Sequence, residues 1–258
     1  MNKIPVSVVV IVKNEEKRLA ACLESVKWAG DIVIVDDMST DRTVEIARGY
    51  TDRIFQRKME IEGVHRNYAY SQAKNEWVLS LDADELVSPE LKEEIARVVA
   101  GDTGSERAGY VVFAVPLRNY IGDYWVKRGG WYPAYKDRLF RKERFKYEEV
   151  GVHPRVIYEG KCGRLKGDII HYSYADFTEL IDSLNGQTSK EAEKWLAARR
   201  RMTLGTALWR TFDRFYRSYI VNKGYRDGVV GLMVAVNGGF YQILSYAKYW
   251  ELNAKSKT

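Results

Sequence analysis

Three carboxylates stand at the end of a short apolar run in residues 77–85: Asp82, Asp84 and Glu85. The run predicts a buried strand, and carboxylates at the end of a strand favour a cation. Mg²⁺ and Mn²⁺ take oxygen ligands, and Mg²⁺ is usually held by one or two carboxylates together with substrate phosphates. A metal-bound diphosphate is therefore the first hypothesis. The alternative is that these acids are ordinary turn residues ahead of a helix predicted to begin near residue 88.

Two further apolar strands are predicted upstream, and each ends in polar residues. Residues 32–35 lead to Asp36 and Asp37, and residues 6–12 lead to the polar residues 13–15. In open α/β sheets the ligand crevice lies outside the carboxyl ends of the strands. We therefore expect all three polar clusters to face one site.

Length and composition indicate a globular, intracellular protein. The chain has 258 residues, of which 46% are hydrophobic, and this suits one large domain or a domain with an appendage. Cys22 and Cys162 lack the spacing of a zinc or disulfide framework, which predicts a reducing cytosol. The N-terminus runs directly into a strand without the layout of a signal peptide, so export is not expected.

The net charge of +6 is concentrated in residues 190–226, where ten basic residues stand against three acidic ones, a net of +7. The basic residues alternate with aromatic residues such as Trp209 and Phe212. This pattern suits an anionic membrane surface, with a solvated helix face as the simpler alternative. Nucleic acid is not expected as a partner, because the basic residues lie near a long uncharged run and not over a recognisable nucleic-acid fold.

That uncharged run, residues 228–247, has enough residues to span a bilayer. Asn237, Gly238 and Gly239 interrupt it, which favours a buried or interfacial helical hairpin over a transmembrane helix. Together with the basic, aromatic segment, the pattern predicts peripheral attachment to a membrane.

The first 115 residues alternate strands and helices, which predicts a mostly parallel α/β sheet with right-handed crossovers and flanking helices. Asn14 is a plausible N-cap for the first helix. A fifth strand is predicted over residues 110–115. Residues 138–173 resemble short strands and turns, and a helical C-terminal region is predicted from about residue 176 onward.

Four motifs in this order resemble the inverting family 2 glycosyltransferases, whose fold is the Rossmann-like GT-A fold. They are VVVIVKNE at 8–15, IVDDMSTD at 34–41, Arg66-Asn67, and LDADE at 81–85. Later segments are similar to the lipopolysaccharide inner-core beta-glucosyltransferase subgroup: WYP at 131–133, RLFR at 138–141, VH at 152–153 and HYSY at 171–174.

The resemblance implies roles for individual residues. Those expected to bind the nucleotide-sugar are Val12, Lys13, Glu15, Asp37, Arg66, Asp82 and Ala83. Those expected to hold a divalent cation, Mg²⁺ or Mn²⁺, are Asp84, Asp82 and His171. A histidine between polar and aromatic neighbours can equally be a packed or hydrogen-bonded residue, so this alternative stays open for His171.

The resemblance also implies contacts to the acceptor or to phosphate by Trp131, Arg138 and Arg141. The two arginines flank Leu139 and Phe140, as in a strand with one solvated face, so ordinary solvation competes with anion binding. Aromatic residues that cluster as Trp131 does are also common in protein cores.

Inverting transfer requires a general base that deprotonates the acceptor hydroxyl. The candidates are Glu149, Glu148 and His153, with Glu149 preferred over Glu148. The family pattern has an acid directly after the Val-His pair, whereas this chain has Pro154 there.

The resemblance implies three regions: a nucleotide-sugar-binding half over 1–115, an acceptor-binding and catalytic half over 116–175, and a helical, membrane-associating region over 176–258. The implied partners are a nucleotide-sugar donor of the UDP-glucose type and a membrane-anchored glycolipid acceptor such as lipopolysaccharide core. The implied location is cytoplasmic and peripheral, on the inner face of the cell membrane. The alternatives are a polyprenyl-phosphate glycosyltransferase and a catalytically silent nucleotide-sugar or membrane-binding module.

Overall fold

The computed structural model describes residues 3–101, 109–150 and 154–255. The strands are β1 (Ile4–Val12), β2 (Ala29–Asp36), β3 (Ile54–Gln56), β4 (Trp77–Asp82), β5 (Glu85–Val87), β6 (Tyr110–Ile121), β7 (Tyr124–Trp125), β8 (Ala134–Arg141), β9 (Phe145–Tyr147), β10 (Val156–Tyr158), β11 (Lys161–Arg164) and β12 (Ile169–Tyr174). The helices are α1 (Leu19–Ser25), α2 (Thr43–Arg48), α3 (Glu62–Ser71), α4 (Pro89–Val99), α5 (Phe177–Ala197), α6 (Leu204–Tyr216) and α7 (Gly228–Lys255).

The chain forms two compact units. The first unit consists of Met1–Leu117 and Tyr135–His171, and the second unit consists of Arg118–Ala134 and Tyr172–Thr258. All the strand ends that carry the predicted metal and nucleotide residues belong to the first unit.

The main sheet has the strand order β3-β2-β1-β4-β8-β6-β12-β5. Strands β3, β2, β1 and β4 pair in parallel, whereas β4 with β8 and β12 with β5 pair antiparallel. The sheet is therefore mixed, with its parallel part at the N-terminal end of the chain. The predicted class, an α/β sheet with flanking helices, is confirmed.

The centre of the sheet follows from the composition of its strands. β1 is rich in valine and isoleucine and is buried along nearly its whole length, as expected for a strand covered on both faces. Tyr70 of α3 packs on the sheet against Phe140, which stacks on Phe145 with ring centres 3.8 Å apart. α4 begins where the sequence predicts, because the Ser88 side chain accepts a hydrogen bond from the Leu91 amide.

Two local expectations differ from the structure. Asn14 is not a helix cap, since α1 begins at Leu19. Its Oδ1 accepts a hydrogen bond from the Thr40 amide at 2.8 Å, so it joins the loop after β1 to the loop after β2. The fifth predicted strand, β6, continues beyond residue 115 to Ile121.

In the second unit, α7 is one continuous helix, so the predicted hairpin over residues 228–247 is wrong. Its glycines do not end the helix, because Gly239 is used for a close approach to α6: a Cβ there would lie 3.0 Å from the Thr211 carbonyl oxygen. The stretch Gly224–Lys255 is long and apolar enough to cross a membrane by length and composition alone, and 33% of its most apolar window is buried inside the structure.

Candidate functional site

The carboxyl ends of β1, β2 and β4 lie side by side. Val12 lies opposite Asp36, and Ile11 lies opposite Asp82. The polar residues that follow these strands therefore meet at one edge of the sheet, as the sequence predicts for parallel neighbours.

Asp37 is buried at this edge and has two hydrogen-bond donors. Lys13 Nζ lies 2.9 Å from one carboxylate oxygen, and the Met59 amide donates to the other at 2.8 Å. Burial opposes the charged form, but these hydrogen bonds and the Lys13 charge outweigh it and lower the pKa of Asp37. Asp36 instead stabilises the loop after β2, since its carboxylate accepts a hydrogen bond from the Ser39 amide at 3.1 Å. Asp37 is thus the charged acceptor at this edge.

His65 is a polar residue that the sequence patterns do not single out. Its side chain is 1% exposed, and neither ring nitrogen has a hydrogen-bond partner among the described residues. Burial lowers the pKa of His65, against the opposing charge of Asp37. A cavity of about 240 Å³ adjoins it, with Arg57 and Lys58 in its wall. His65 therefore provides a neutral imidazole near Asp37. In the sequence, the only feature that could have drawn attention to His65 is its position next to Arg66.

Arg66 and Asn67 connect α3 to β9. Asn67 exchanges two hydrogen bonds with the backbone of Tyr147, at 3.0 and 2.8 Å. Arg66 Nε donates to Glu62 at 3.0 Å, and its guanidinium lies 5.4 Å from the ring centre of Tyr147. Asn67 thereby holds the strand that packs beside the Arg66 guanidinium.

The first turn of α3 also fixes residues 148–150. A Cβ at Gly63 would lie 1.8 Å from the Glu148 carbonyl oxygen, and the Gly63 amide donates to the Val150 carbonyl at 3.3 Å. No residue with a side chain fits this contact unless the backbone moves. The segment with both carboxylate candidates for the general base is therefore held against the helix that carries Arg66.

Arg138 of β8 lies buried between two carboxylates. Its Nη2 donates to Asp82 Oδ2 at 2.6 Å and also to Glu85 Oε1. Glu85 is fully buried, and its other oxygen accepts from the Asp82 amide at 3.0 Å. Leu139 and Phe140 are buried as well, so the solvated face expected around Arg138 is wrong: residues 138–140 of β8 are covered on both faces, whereas Tyr135, Lys136 and Arg141 of the same strand contact solvent.

This cluster sets the protonation of both acids. Burial opposes the charge on Asp82, but Arg138 outweighs it and lowers the pKa of Asp82. For Glu85 burial dominates and raises the pKa to about 7, although Arg138 acts in the opposite direction. Asp82 is thus the carboxylate that carries the charge, and Arg138 is its counter-ion.

Asp84 and His171 form a second pair. His171 Nε2 lies 3.3 Å from Asp84 Oδ2. The antiparallel pairing of β12 with β5 brings them together, because it sets His171 opposite Glu85. Burial lowers the pKa of His171, but the hydrogen bond and charge of Asp84 outweigh it, and the pKa lies above its ordinary value.

A cavity of about 540 Å³ adjoins His171, although Asp84 is not among its lining residues. That volume is in the range of small-molecule sites. Four predicted site residues line it, Arg66, Asp82, Arg138 and His171. Glu85, the third carboxylate of the 77–85 segment, also lines it, and the polar side chains in its wall that the sequence analysis does not assign to a site are Glu62, Tyr135, Lys136, Asp137 and Tyr147.

Asp84 and His171 fit a divalent cation. Within the described ranges no group of three His, Cys, Asp or Glu side chains is arranged to hold a metal ion, and Asp82 is engaged by Arg138. A cation that arrives with a nucleotide needs fewer protein ligands, because substrate phosphates complete its coordination. One carboxylate and one imidazole are suitable donors for that arrangement.

The base candidates lie in a different setting. Glu148 accepts hydrogen bonds from the Arg155 amide and from Arg155 Nε, both at 3.2 Å, and its carboxylate is occupied by this ion pair. Glu149 is exposed. His153 lies outside the described residues, and Pro154 is part of the cavity wall.

Two predicted contact residues are not brought to the cavity wall. Arg141 pairs with Glu76 and lies over the ring of Trp77. Trp77 is the first residue of β4, whereas Asp82, which lines the cavity, is the last. Trp131 belongs to the second unit, where its carbonyl accepts from Asn119 Nδ2 at 2.9 Å. Their roles stay predictions.

The chain is similar to several known proteins. The chain is 27% identical over 259 residues to the Rhizobium meliloti (strain 1021) protein described as lipopolysaccharide core biosynthesis glycosyltransferase LpsC, and the alignment covers 98% of this chain and 94% of that protein. It is also 27% identical to an uncharacterized glycosyltransferase of Rickettsia typhi, over 98% of this chain and 89% of that one. Among solved structures, S. aureus TarS 1–349 in complex with UDP aligns with a TM-score of 0.47 at 16% identity, over 87% of this chain and 74% of that one.

The family model described as glycosyl transferase family 2 matches residues 7–157, which is more than half of the chain and runs from within β1 to within β10. The chain therefore belongs to glycosyl transferase family 2.

Proposed function

We propose that this glycosyltransferase transfers a sugar from a UDP-glucose-type donor to a membrane-anchored saccharide or lipid, in a metal-dependent and inverting reaction. The observation that carries the proposal is the Asp84–His171 pair at the sheet edge that also holds Asp37. The acceptor class, such as lipopolysaccharide core, is supported by the similarity to the Rhizobium meliloti protein described as a lipopolysaccharide core biosynthesis glycosyltransferase.

In this proposal the nucleotide lies along the carboxyl ends of β1 and β2. Val12, Lys13 and Glu15 contact the base and ribose from the end of β1. Asp37 accepts hydrogen bonds from the ribose or a base N–H, as a charged carboxylate does well. Arg66 offers forked donors to the base or the diphosphate.

Asp84 and His171 would hold a divalent cation together with the diphosphate, and Asp82 and Ala83 would contact the donor beside it. When bound, the cation supplies electrostatic stabilisation of the nucleoside diphosphate as it leaves. Arg138 holds Asp82 in one position and keeps it charged, since its guanidinium donates to that carboxylate. These residues thereby bind and orient the donor for attack from the opposite face of the sugar.

Glu149 is the proposed general base, because Glu148 is already committed to Arg155. We expect Glu149→Gln to lower kcat by about 10²-fold to 10⁴-fold, the usual contribution of a positioned base, with donor affinity unchanged. Glu148→Gln is the matched control and should keep nearly full activity. The measurement is kcat at saturating donor and acceptor. If Glu148→Gln or His153→Ala loses activity while Glu149→Gln keeps it, the base is one of those residues.

Calorimetric titration of the full chain with UDP, GDP and ADP, each with and without Mn²⁺, tests the donor assignment. We expect UDP to bind, to bind more tightly with Mn²⁺, and to be preferred over both purine nucleotides. If none of the three binds under any condition, the proposed reaction is wrong and a catalytically silent module becomes the better description.

We further propose that residues 1–115 serve the donor, that 116–175 serve the acceptor and catalysis, and that 176–258 associate with the cytoplasmic face of the membrane. The support for the last assignment is the excess of basic over acidic residues in 190–226 and the apolar character of α7. Peripheral attachment at that face would bring a soluble nucleotide-sugar and a lipid-linked acceptor to the same enzyme.

A further inference from the structure

Helix α6 exposes an apolar face although it is packed inside the second unit. Leu208, Phe212 and Tyr216 are four residues apart and therefore lie on one side of the helix. Phe212 is 58% exposed, and the neighbouring Trp209 is 66% exposed. The side chains that face α7 are different ones, among them the buried Ala207.

Helix α7 exposes a matching stripe. Val229, Leu232, Val236 and Phe240 recur at helical spacing and are exposed, with Val229 at 74% and Phe240 at 47%. The other side of α7 is buried within the second unit, including Val234.

The two stripes lie on the same side of the helix pair. The helices are antiparallel, because Tyr249 contacts Arg200 just before α6 begins, whereas Gly239 contacts Thr211 further along α6. Each residue advances an α-helix by about 100°. In an antiparallel pair, the residues that directly follow two facing contact residues therefore point to the same side of the plane that contains both helix axes. Phe212 follows Thr211 and Phe240 follows Gly239, so α6 and α7 present one continuous apolar surface.

The opposite side of α6 is basic. Arg210 and Arg214 are each two residues from Phe212, which is about 200° around the helix. An aromatic and apolar face backed by arginines is the pattern of a helix that lies in the plane of an anionic membrane surface. Docking of a second copy on the same face is opposed by the net charge of residues 190–226, which is +7 on each chain.

Packing in the second unit opposes a membrane-spanning α7. Lys248 Nζ of α7 lies within 2.9 Å of four acceptors on α5: the Asn185 carbonyl and side-chain oxygens, Thr188 Oγ1 and Ser189 Oγ. Insertion of α7 across a bilayer would separate it from α5 and break all four contacts. The polar residues Asn237 and Gln242 are also buried on the packed side.

We propose that the α6–α7 surface, formed by Leu208, Trp209, Phe212, Tyr216, Val236 and Phe240, is a docking face for an anionic lipid bilayer, and that α6 and α7 lie in the plane of the interface. This inference rests on the membrane-bound acceptor of the proposed function, and it adds which surface meets the lipid and in which orientation. The aromatic side chains enter the headgroup region, and the basic side of α6 attracts the anionic surface.

The test is flotation of the full chain with vesicles of equal parts phosphatidylcholine and phosphatidylglycerol, compared with pure phosphatidylcholine. We expect the natural chain to float with the anionic vesicles, and Phe212→Glu/Phe240→Glu to lower the bound fraction by about tenfold or more. Ile181→Glu is the matched control, because Ile181 is an exposed apolar helix residue of the same unit outside this surface, and it should float like the natural chain.

Further readouts separate the possible failures. Circular dichroism and UDP titration without vesicles show whether the double variant is folded and whether the donor site works, independently of lipid. The inference is overturned if the natural chain does not float, if the double variant floats equally well, or if alkaline carbonate fails to extract the bound chain, as expected of a spanning helix. It is also overturned if the natural chain is a dimer that the double substitution converts to a monomer without changing flotation.

Discussion

Replacement of Asp84 by alanine is expected to reduce sugar transfer by at least about a thousandfold, since a lost metal ligand removes several kcal/mol of transition-state stabilisation. The physical reason is the pair with His171: without Asp84 the imidazole alone would have to hold the cation. Transfer of a labelled sugar from the donor measures the rate. Calorimetric titration of UDP with Mn²⁺ should show the loss of metal-dependent binding in the same variant.

Asp52→Ala is the matched control, because Asp52 is an exposed acid of the same unit, away from the strand ends that hold the site. It should leave both the rate and the Mn²⁺ dependence unchanged. Full transfer by Asp84→Ala would remove Asp84 from the metal site, and with it the principal support for metal-dependent chemistry.

Replacement of Arg138 by methionine is expected to destabilise the first unit by about 3–5 kcal/mol, the usual cost of removing one partner from a buried ion pair. Methionine fills similar space, but it leaves Asp82 and the fully buried Glu85 without their shared donor. Urea denaturation measures the free energy of unfolding. Transfer activity should fall as well, since Asp82 loses the side chain that fixes it.

Arg141→Met gives the comparison on the same strand. Arg141 pairs with an exposed partner, Glu76, and such surface pairs contribute about 0–1 kcal/mol. A loss of stability at position 138 no greater than that at position 141 would contradict the structural role of the buried cluster.

Much of the first unit follows from local sequence. β1, β2 and β4 are apolar runs of the right length, and their order along the chain predicts parallel neighbours with polar ends at one edge. Asp82 ends β4, and Asp37 and Asp84 follow β2 and β4 within two residues, so the position of the acids could be predicted without any knowledge of tertiary contacts.

The partners of those acids could not be predicted in the same way. Arg138 reaches Asp82 only because β8 inserts antiparallel beside β4, in a register that no local pattern encodes. Nothing in the local sequence indicates that Arg138 is buried, because an arginine in a strand is normally expected to contact solvent. Its burial is apparent only from the structure around it. His65 was missed for the same reason: only packing shows that its ring nitrogens are enclosed without hydrogen-bond partners in the part of the chain that the structure describes.

The C-terminal region shows a different limit. Two glycines and an asparagine in an apolar run normally predict a break, since glycine disfavours the interior of a helix. Here Gly239 permits close packing with α6, and the tertiary contact outweighs the local preference. Whether such a run bends depends on its neighbours.

The contact between Gly63 and the Glu148 carbonyl has a consequence for how sequences of this kind can diverge. Positions 148 and 149 can change their side chains without disturbing this contact, because it is made by backbone atoms. Position 63 has no such freedom, since any larger residue would push the 148–150 segment away from α3. Natural variants should therefore differ in their side chains at positions 148 and 149 while position 63 stays glycine. The requirement to hold the 148–150 segment in place would then be visible at Gly63, a residue that takes no part in the reaction.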